Sequence, residues 1–356
     1  MFDDLEAPGA LLAAAARLAT AHREILLMVT GPDDTSVQMI NSSLVSLAGV
    51  GLRRHTLVIA DSWSTCERMA PPCYWTSRTL RDTPSSSVTN SKFWDWRFRF
   101  YFIKKRYMAQ LVRGGYSVLQ ADTDTVWSHN PLPVLRAMEG ASVVCMADGP
   151  IANAGVVYLR PGSAAALALI EDVAWRVQLF QFWPEVVPKL VPFATPPFYA
   201  NSDDQTILND AIVSAVLGVR TFLGSTARFE AKNRYNPRSS YVWEGSPLAQ
   251  QWSRQLHETM RRAVPRHVHI PWTPKRKYTY PSYPLAGTGN DSVAIAPRVL
   301  FAHLPFEPHN AMTHLTGARG FRAKVAVLKG MGAWHPEGQL ASSTRKLWKA
   351  ARAHAP

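Results

Sequence analysis

Two short apolar runs, separated by a stretch of helical length, limit what this chain can fold into. Ile25–Thr30 (ILLMVT) carries no polar alternation and stops at Gly31-Pro32. Asp33 and Asp34 follow, then a helical stretch over Thr35–Val50, then a second apolar run, Thr56–Ala60 (TLVIA), ending at Asp61. Short runs of this kind are strands buried on both faces. Strand, helix, strand in this order is a βαβ unit, which predicts an α/β fold with a parallel sheet.

The rest of the chain extends that pattern. Residues 62–92, rich in Ser, Thr and Pro, read as a long loop. A helix from Phe93 to Arg113 puts Phe100, Ile103, Tyr107 and Leu111 on one face, with Lys104, Arg106 and Arg113 off it, and Gly114-Gly115 ends it. A third strand, Ser117–Ala121 (SVLQA), runs into Asp122-Thr123-Asp124. Asn130-Pro131-Leu132-Pro133 makes a turn, and Ser142–Ala147 and Gly155–Leu159 read as further strands. Helices are expected over Ser163–Phe180, Ser202–Leu217 and Phe321–Gly332, and a late strand over Arg298–His303. Residues 181–201 and 225–297 are irregular and aromatic-rich. Residues 1–24 read as an N-terminal helix, 25–335 as one domain with halves meeting near 161, and 336–356 as a tail.

A hydrophobic fraction of 47% supplies a sizeable core. The net charge of +13 suits an anionic ligand, surface or nucleic acid, but no zinc-finger spacing, basic zipper or RNA-recognition signature is present. Cys66, Cys73 and Cys145 are too few for a disulfide framework or a zinc site; a single Cys66–Cys73 bridge is possible in an oxidising compartment. Two sequons, Asn41-Ser42-Ser43 and Asn290-Asp291-Ser292, permit a secretory location. No apolar run approaches the ~18 residues that span a bilayer. Leu11–Ala16 reads as helix rather than as a signal peptide, so membrane attachment would come through an anchor absent from this chain.

Chemistry concentrates at Asp122 and Asp124. Parallel α/β sheets bind ligands at the carboxyl ends of their strands, and two carboxylates one residue apart reach a single hard cation. Mg²⁺ or Mn²⁺ takes few protein oxygens and fills its other positions with water and substrate phosphates. An Asp-x-Asp at the end of a buried strand therefore suits a metal that neutralises a departing diphosphate.

The stretch Gly114-Gly115-Tyr116 through Asp122-Thr123-Asp124-Thr125-Val126-Trp127, with Asn130-Pro131-Leu132 after it, resembles the nucleotide-diphospho-sugar transferases that include plant and algal cell-wall arabinosyl-, xylosyl- and galactosyltransferases. Asn153-Ala154-Gly155 resembles that family's Asn-x-Gly segment, and Asp203-Asp204-Gln205 its Asp-Gln segment. The resemblance covers residues 25–335. It implies a GT-A fold: a mostly parallel central sheet flanked by helices, with a Rossmann-like nucleotide-binding half and a C-terminal acceptor region. It also implies a UDP-sugar donor, a glycan or glycoprotein acceptor, Mn²⁺ (or Mg²⁺), retention of anomeric configuration and a Golgi location, with the cytoplasm as alternative. By the same resemblance the metal ligands are Asp122, Asp124 and His303, with His314 as the alternative third ligand, because a Gly- and Lys-containing segment follows it. Arg322 and Lys324 would meet the diphosphate, Asn153 a sugar hydroxyl or the diphosphate, and Asp204 and Gln205 the transferred or acceptor sugar. Thr30, and more weakly Asp61, would line the nucleotide pocket. Lys105, with Lys104 as alternative, would face the donor.

Two other readings fit part of this pattern. Asp122-x-Asp124 after a strand matches the nucleophile motif of haloacid-dehalogenase-type phosphatases, although that motif opens its domain and here two strands precede it. A non-catalytic sugar-binding protein on the same fold would be marked by loss of the Asp pair, which is intact.

Overall fold

The computed structural model describes residues 4–69, 72–78, 92–148, 152–183, 186–190, 204–220, 266–269, 277–307, 309–318 and 320–337. Its strands are, in chain order, β1 Glu24–Thr30, β2 Thr56–Ala60, β3 Tyr74–Trp75, β4 Ser117–Ala121, β5 Thr125–Trp127, β6 Ala141–Ala147, β7 Ala152–Leu159, β8 Arg266–His269, β9 Lys277–Tyr280, β10 Ser282–Pro284, β11 Ser292–Ala296, β12 Phe301–His303 and β13 Met312–His314.

Eight of them form one sheet in the order β10-β11-β6-β7-β4-β1-β2-β3. From β4 through β1 and β2 to β3 all neighbours are parallel, as the βαβ spacing predicts. Beyond β4 the sheet is mixed. β7 lies antiparallel between β4 and β6, β11 is parallel to β6, and β10 returns antiparallel. Consequently β4 and β6 point the same way, and their carboxyl ends share an edge with the amino end of β7.

Both faces of this α/β sheet are covered by helices, which explains the uninterrupted apolar runs. Ile25, Leu27 and Val29 of β1 pack in a core with the helices Ala10–Leu18, Lys92–Arg113, Ala164–Phe182 and Asp204–Leu217. Leu26 and Met28 face the opposite core, built with the helix Asp34–Gly49. Each such fully buried side chain contributes about 1.5–3 kcal/mol. Asp33 starts the helix Asp34–Gly49 by accepting a hydrogen bond from the Ser36 amide at 2.9 Å. Gly115 ends the helix Lys92–Arg113 in the left-handed region, φ 82°, which a side chain would disfavour.

Several boundaries differ from expectation. The loop 62–92 contains a short helix, Trp63–Glu67, and the edge strand β3. β11 lies inside the irregular 225–297 segment, where its flanking turns hid it, and the late strand starts only at Phe301 because residues 298–300 turn. Asp203 lies outside the described residues. Cys66 and Cys73 are joined by a disulfide, while Cys145 is free and buried. Asn41 is buried and its side-chain amide donates to the Pro336 carbonyl, whereas Asn290 is exposed. Among the described residues, no helix is long and apolar enough to cross a membrane.

A separate three-stranded sheet, ordered β12-β13-β5, sits at the ligand edge. β13 runs antiparallel to β5, with His314 opposite Thr125, and parallel to β12, with His303 opposite His314. The helix Phe321–Gly330 follows, and Leu328 packs with Val126, Leu315 and Met39.

Candidate active site

The chain leaves β4 through a tight turn. The Asp122 amide donates to the Gly155 carbonyl at 2.7 Å, and the Thr125 hydroxyl donates to the Asp122 carbonyl at 2.9 Å. Pairing of β5 with β13, extended by the Leu315 amide donating to the Asp124 carbonyl at 3.0 Å, then carries His314 onto the acidic pair. His314 Nε2 lies 3.1 Å from Asp124 Oδ1 and 3.8 Å from Asp122 Oδ2. One ligand atom from each of Asp122, Asp124 and His314 falls within 4.8 Å of the others. The other ring nitrogen, Nδ1, is buried without a hydrogen-bond partner.

Gly155 makes room for this cluster. A Cβ there would stand 2.5 Å from His314 Cε1 and 2.7 Å from both Asp122 Oδ2 and Asn153 Oδ1. The glycine of the Asn-x-Gly segment is thus a steric requirement: backbone passes where no side chain fits.

Charge is arranged around the pair. Lys104 Nζ lies 2.8 Å from Asp122 Oδ1 and 3.0 Å from Asp204 Oδ2, joining the metal-side carboxylate to the start of the helix Asp204–Leu217. Lys324, on the helix Phe321–Gly330, pairs with Asp124 Oδ2. Burial opposes ionisation of Asp124, but His314 and Lys324 outweigh it and hold the carboxyl far below its ordinary range. Asp122 is also lowered: burial opposes this, and Lys104 and His314 prevail. For His314 burial favours the neutral ring, yet Asp124 and Asp122 raise its pKa. Two ionised carboxylates, of which Asp122 stays partly open to solvent, and a buried imidazole form a donor set that fits Mn²⁺ or Mg²⁺.

Beside this cluster lies a second polar group. Asp148 Oδ2 accepts from Asn153 Nδ2 and from Gln205 Nε2, each at 3.0 Å, and Asn153 Nδ2 also reaches Gln205 Oε1 at 3.3 Å. Asn153 Oδ1 accepts from the Gly155 amide at 2.8 Å. Asp148 is absent from the sequence expectations, although a signal existed: like Asp122, it directly follows an apolar strand.

The structure therefore brings together Asp122, Asp124, Asn153, Asp204, Gln205 and Lys324. Others fall elsewhere. His303 is not in the cluster, because β13 lies between β12 and β5; its ring stacks on that of His314 at 6.3 Å, and its nitrogens meet the Ala147 carbonyl and the Thr316 hydroxyl. The geometry moves the third-ligand candidate to His314. Lys105 lies behind the site, 3.9 Å from Asp204 Oδ2. It is fully buried, donating to Gln120 Oε1 at 3.0 Å and to the Ala154 carbonyl at 3.2 Å, and burial lowers its pKa to about 8. Lys104, the alternative, is the lysine in contact with Asp122 and Asp204. Arg322 is exposed. Thr30 ends β1 buried, with its hydroxyl unpartnered. Asp61 accepts from the Thr65 hydroxyl at 2.7 Å, steadying the short helix after β2.

The nucleotide-diphospho-sugar transferase family matches residues 51–243, more than half of the chain and including Asp122, Asp124, Asp148, Asn153, Asp204 and Gln205. The chain belongs to that family. Membership displaces the phosphatase reading. No curated protein matches this transferase. Solved structures similar to it include mouse xyloside xylosyltransferase 1, at 10% identity over 82% of this chain and 98% of that one, TM-score 0.32. They also include the galactosyltransferase LgtC, at 10% identity over 91% and 99%, TM-score 0.33, and the glycosyltransferase GlyE of Streptococcus pneumoniae TIGR4, at 13% over 65% and 59%, TM-score 0.30. The transferase shares with the GT-A expectation a large central sheet flanked by helices.

Proposed function

We propose that this transferase moves a sugar from a UDP-sugar to a glycan or glycoprotein acceptor, with retention of configuration, using Mn²⁺ or Mg²⁺ held by Asp122, Asp124 and His314. The observation that carries the reading is the convergence of those three side chains, from two distant segments, at the carboxyl edge of the sheet. When bound, the metal would neutralise charge on the departing diphosphate. Lys324 stands next to that position and supplies further positive charge to phosphate oxygens. Lys104 holds Asp122 and Asp204 in fixed relation, so the metal side and the sugar side of the site move together. Asp148, Asn153 and Gln205 form a fixed set of acceptors and donors suited to sugar hydroxyls, with Asp204 beside it. The unpartnered Thr30 hydroxyl suits the nucleotide at the end of β1.

The proposed compartment is the Golgi lumen. The buried Cys66–Cys73 disulfide supports an oxidising one, and residues 62–92 and 181–297 are the proposed acceptor-selecting segments.

The test is a panel of UDP-sugars, including UDP-arabinose, UDP-xylose and UDP-galactose, incubated with purified protein and Mn²⁺. The reading expects donor hydrolysis with at least one sugar, abolished by chelation, and product of unchanged anomeric configuration by proton NMR. Turnover of a generic aryl phosphate with no UDP-sugar consumed would sink it.

A further inference from the structure

Lys105 is an expensive residue to keep. A lysine with no solvent exposure is tolerated when a counter-charge touches it, yet its two contacts at hydrogen-bond distance are an amide oxygen and a backbone carbonyl, and the nearest carboxylate oxygen, Asp204 Oδ2, is 3.9 Å away. Burial dominates its environment. A methionine of similar length would sit there without that penalty. What the ammonium does is local and directional. It occupies Gln120 Oε1, and so fixes which way round the Gln120 amide sits. Gln120 is itself fully buried. Its Nε2 then faces upward, 3.1 Å from the Gly155 carbonyl and 3.4 Å from Asp122 Oδ1. An amide turned over would present oxygen to that carboxylate instead. The second Lys105 contact, to Ala154, holds the strand residue next to Gly155, where backbone passes beneath the cluster.

We propose that Lys105 and Gln120 form a positioning pair beneath the metal site, in which the ammonium sets the Gln120 amide and the amide aims the Asp122 carboxylate at the cation. This rests on Asp122, Asp124 and His314 binding a divalent metal. Groups of this kind, behind the ligands, govern affinity by orienting them. The pair acts as one device: losing either member releases Asp122.

Mn²⁺ binding to the purified full chain, read from the EPR signal of unbound ion with no donor present, tests this in Lys105→Met, Gln120→Met and the double variant, alongside thermal unfolding at pH 7. The expected result is a loss of Mn²⁺ affinity of about 10–100-fold in each. The double variant loses no more than either single one. That non-additivity in metal affinity is what a merely structural lysine would not give. Affinities indistinguishable from wild type, or additive losses, would each overturn the pair. Should Gln120→Met fail to fold, the comparison of Lys105→Met with the double variant decides. Absence of Mn²⁺ binding in the wild type would instead remove the metal reading on which the pair rests.

Discussion

Gly155 sets the tolerance of the site at the scale of single residues. Gly155→Ala forces a methyl group into contact with His314, Asn153 and Asp122 at 2.5–2.7 Å. Overpacking of this kind costs about 1–3 kcal/mol, and here two of the three side chains that must yield, His314 and Asp122, belong to the candidate metal cluster. Chemical denaturation should show the modest loss of stability, while Mn²⁺ titration should show loss of binding. A variant that binds Mn²⁺ normally would mean that the cluster does not hold the ion. Lys105 makes a second prediction. Its pKa in the folded chain is about 8, against an ordinary 10.5, so between those values the unfolded chain binds the proton and the folded chain has released it. Stability therefore rises with pH across about 8 to 10.5, by roughly 3 kcal/mol for this group, and is withheld below pH 8. Urea unfolding of wild type and Lys105→Met across that window should show the wild type gaining on the variant; parallel curves would contradict it. The Asp122 and Asp124 pair was legible in the sequence because a strand-end Asp-x-Asp is a local pattern. That Lys104 rather than Lys105 meets Asp122 was not, because adjacent helical positions differ by a rotation that periodicity fixes only loosely.

Among the elements, the three-stranded sheet β12-β13-β5 decides the third ligand. Its members β5, β12 and β13 are three residues each, too short to leave an alternation pattern, and their order is a matter of long-range pairing. Nothing in the local sequence distinguishes a histidine ending β12 from one ending β13, so the sequence favours His303 while the register favours His314. The two histidines give a direct contrast. His314→Ala should abolish measurable Mn²⁺ binding, and His303→Ala should lower affinity by no more than about 10–100-fold, as loss of a group behind the ligands does. The reverse pattern would reinstate His303. The parallel strands β1, β2 and β4 were legible because burial on both faces writes itself as unbroken apolar runs. The antiparallel placement of β7 was not, since an apolar strand carries no mark of its direction, and β11 was hidden among turns.

Over the whole molecule, the sheet brings three carboxyl- or amino-terminal strand ends to one edge, and the rest of the chain supplies that edge with charge. β4 delivers Asp122, β6 delivers Asp148, β7 delivers Asn153 and Gly155, and later segments return Asp204, Gln205, His314 and Lys324. Asp148 follows from this topology and not from its local sequence alone, since its place beside Gln205 depends on β6 running parallel to β4. Family membership makes the chain a transferase of nucleotide-diphospho-sugars. The proposed function turns on Asp122, Asp124 and His314 holding a metal that grips the donor diphosphate. Calorimetric titration of UDP into wild type and Asp124→Asn, with Mn²⁺ and with chelator, tests it most directly. UDP should bind wild type only when Mn²⁺ is present, and should not bind Asp124→Asn although that variant stays folded; binding of equal strength with chelator, or undiminished in Asp124→Asn, would show that no metal held by this pair grips the diphosphate.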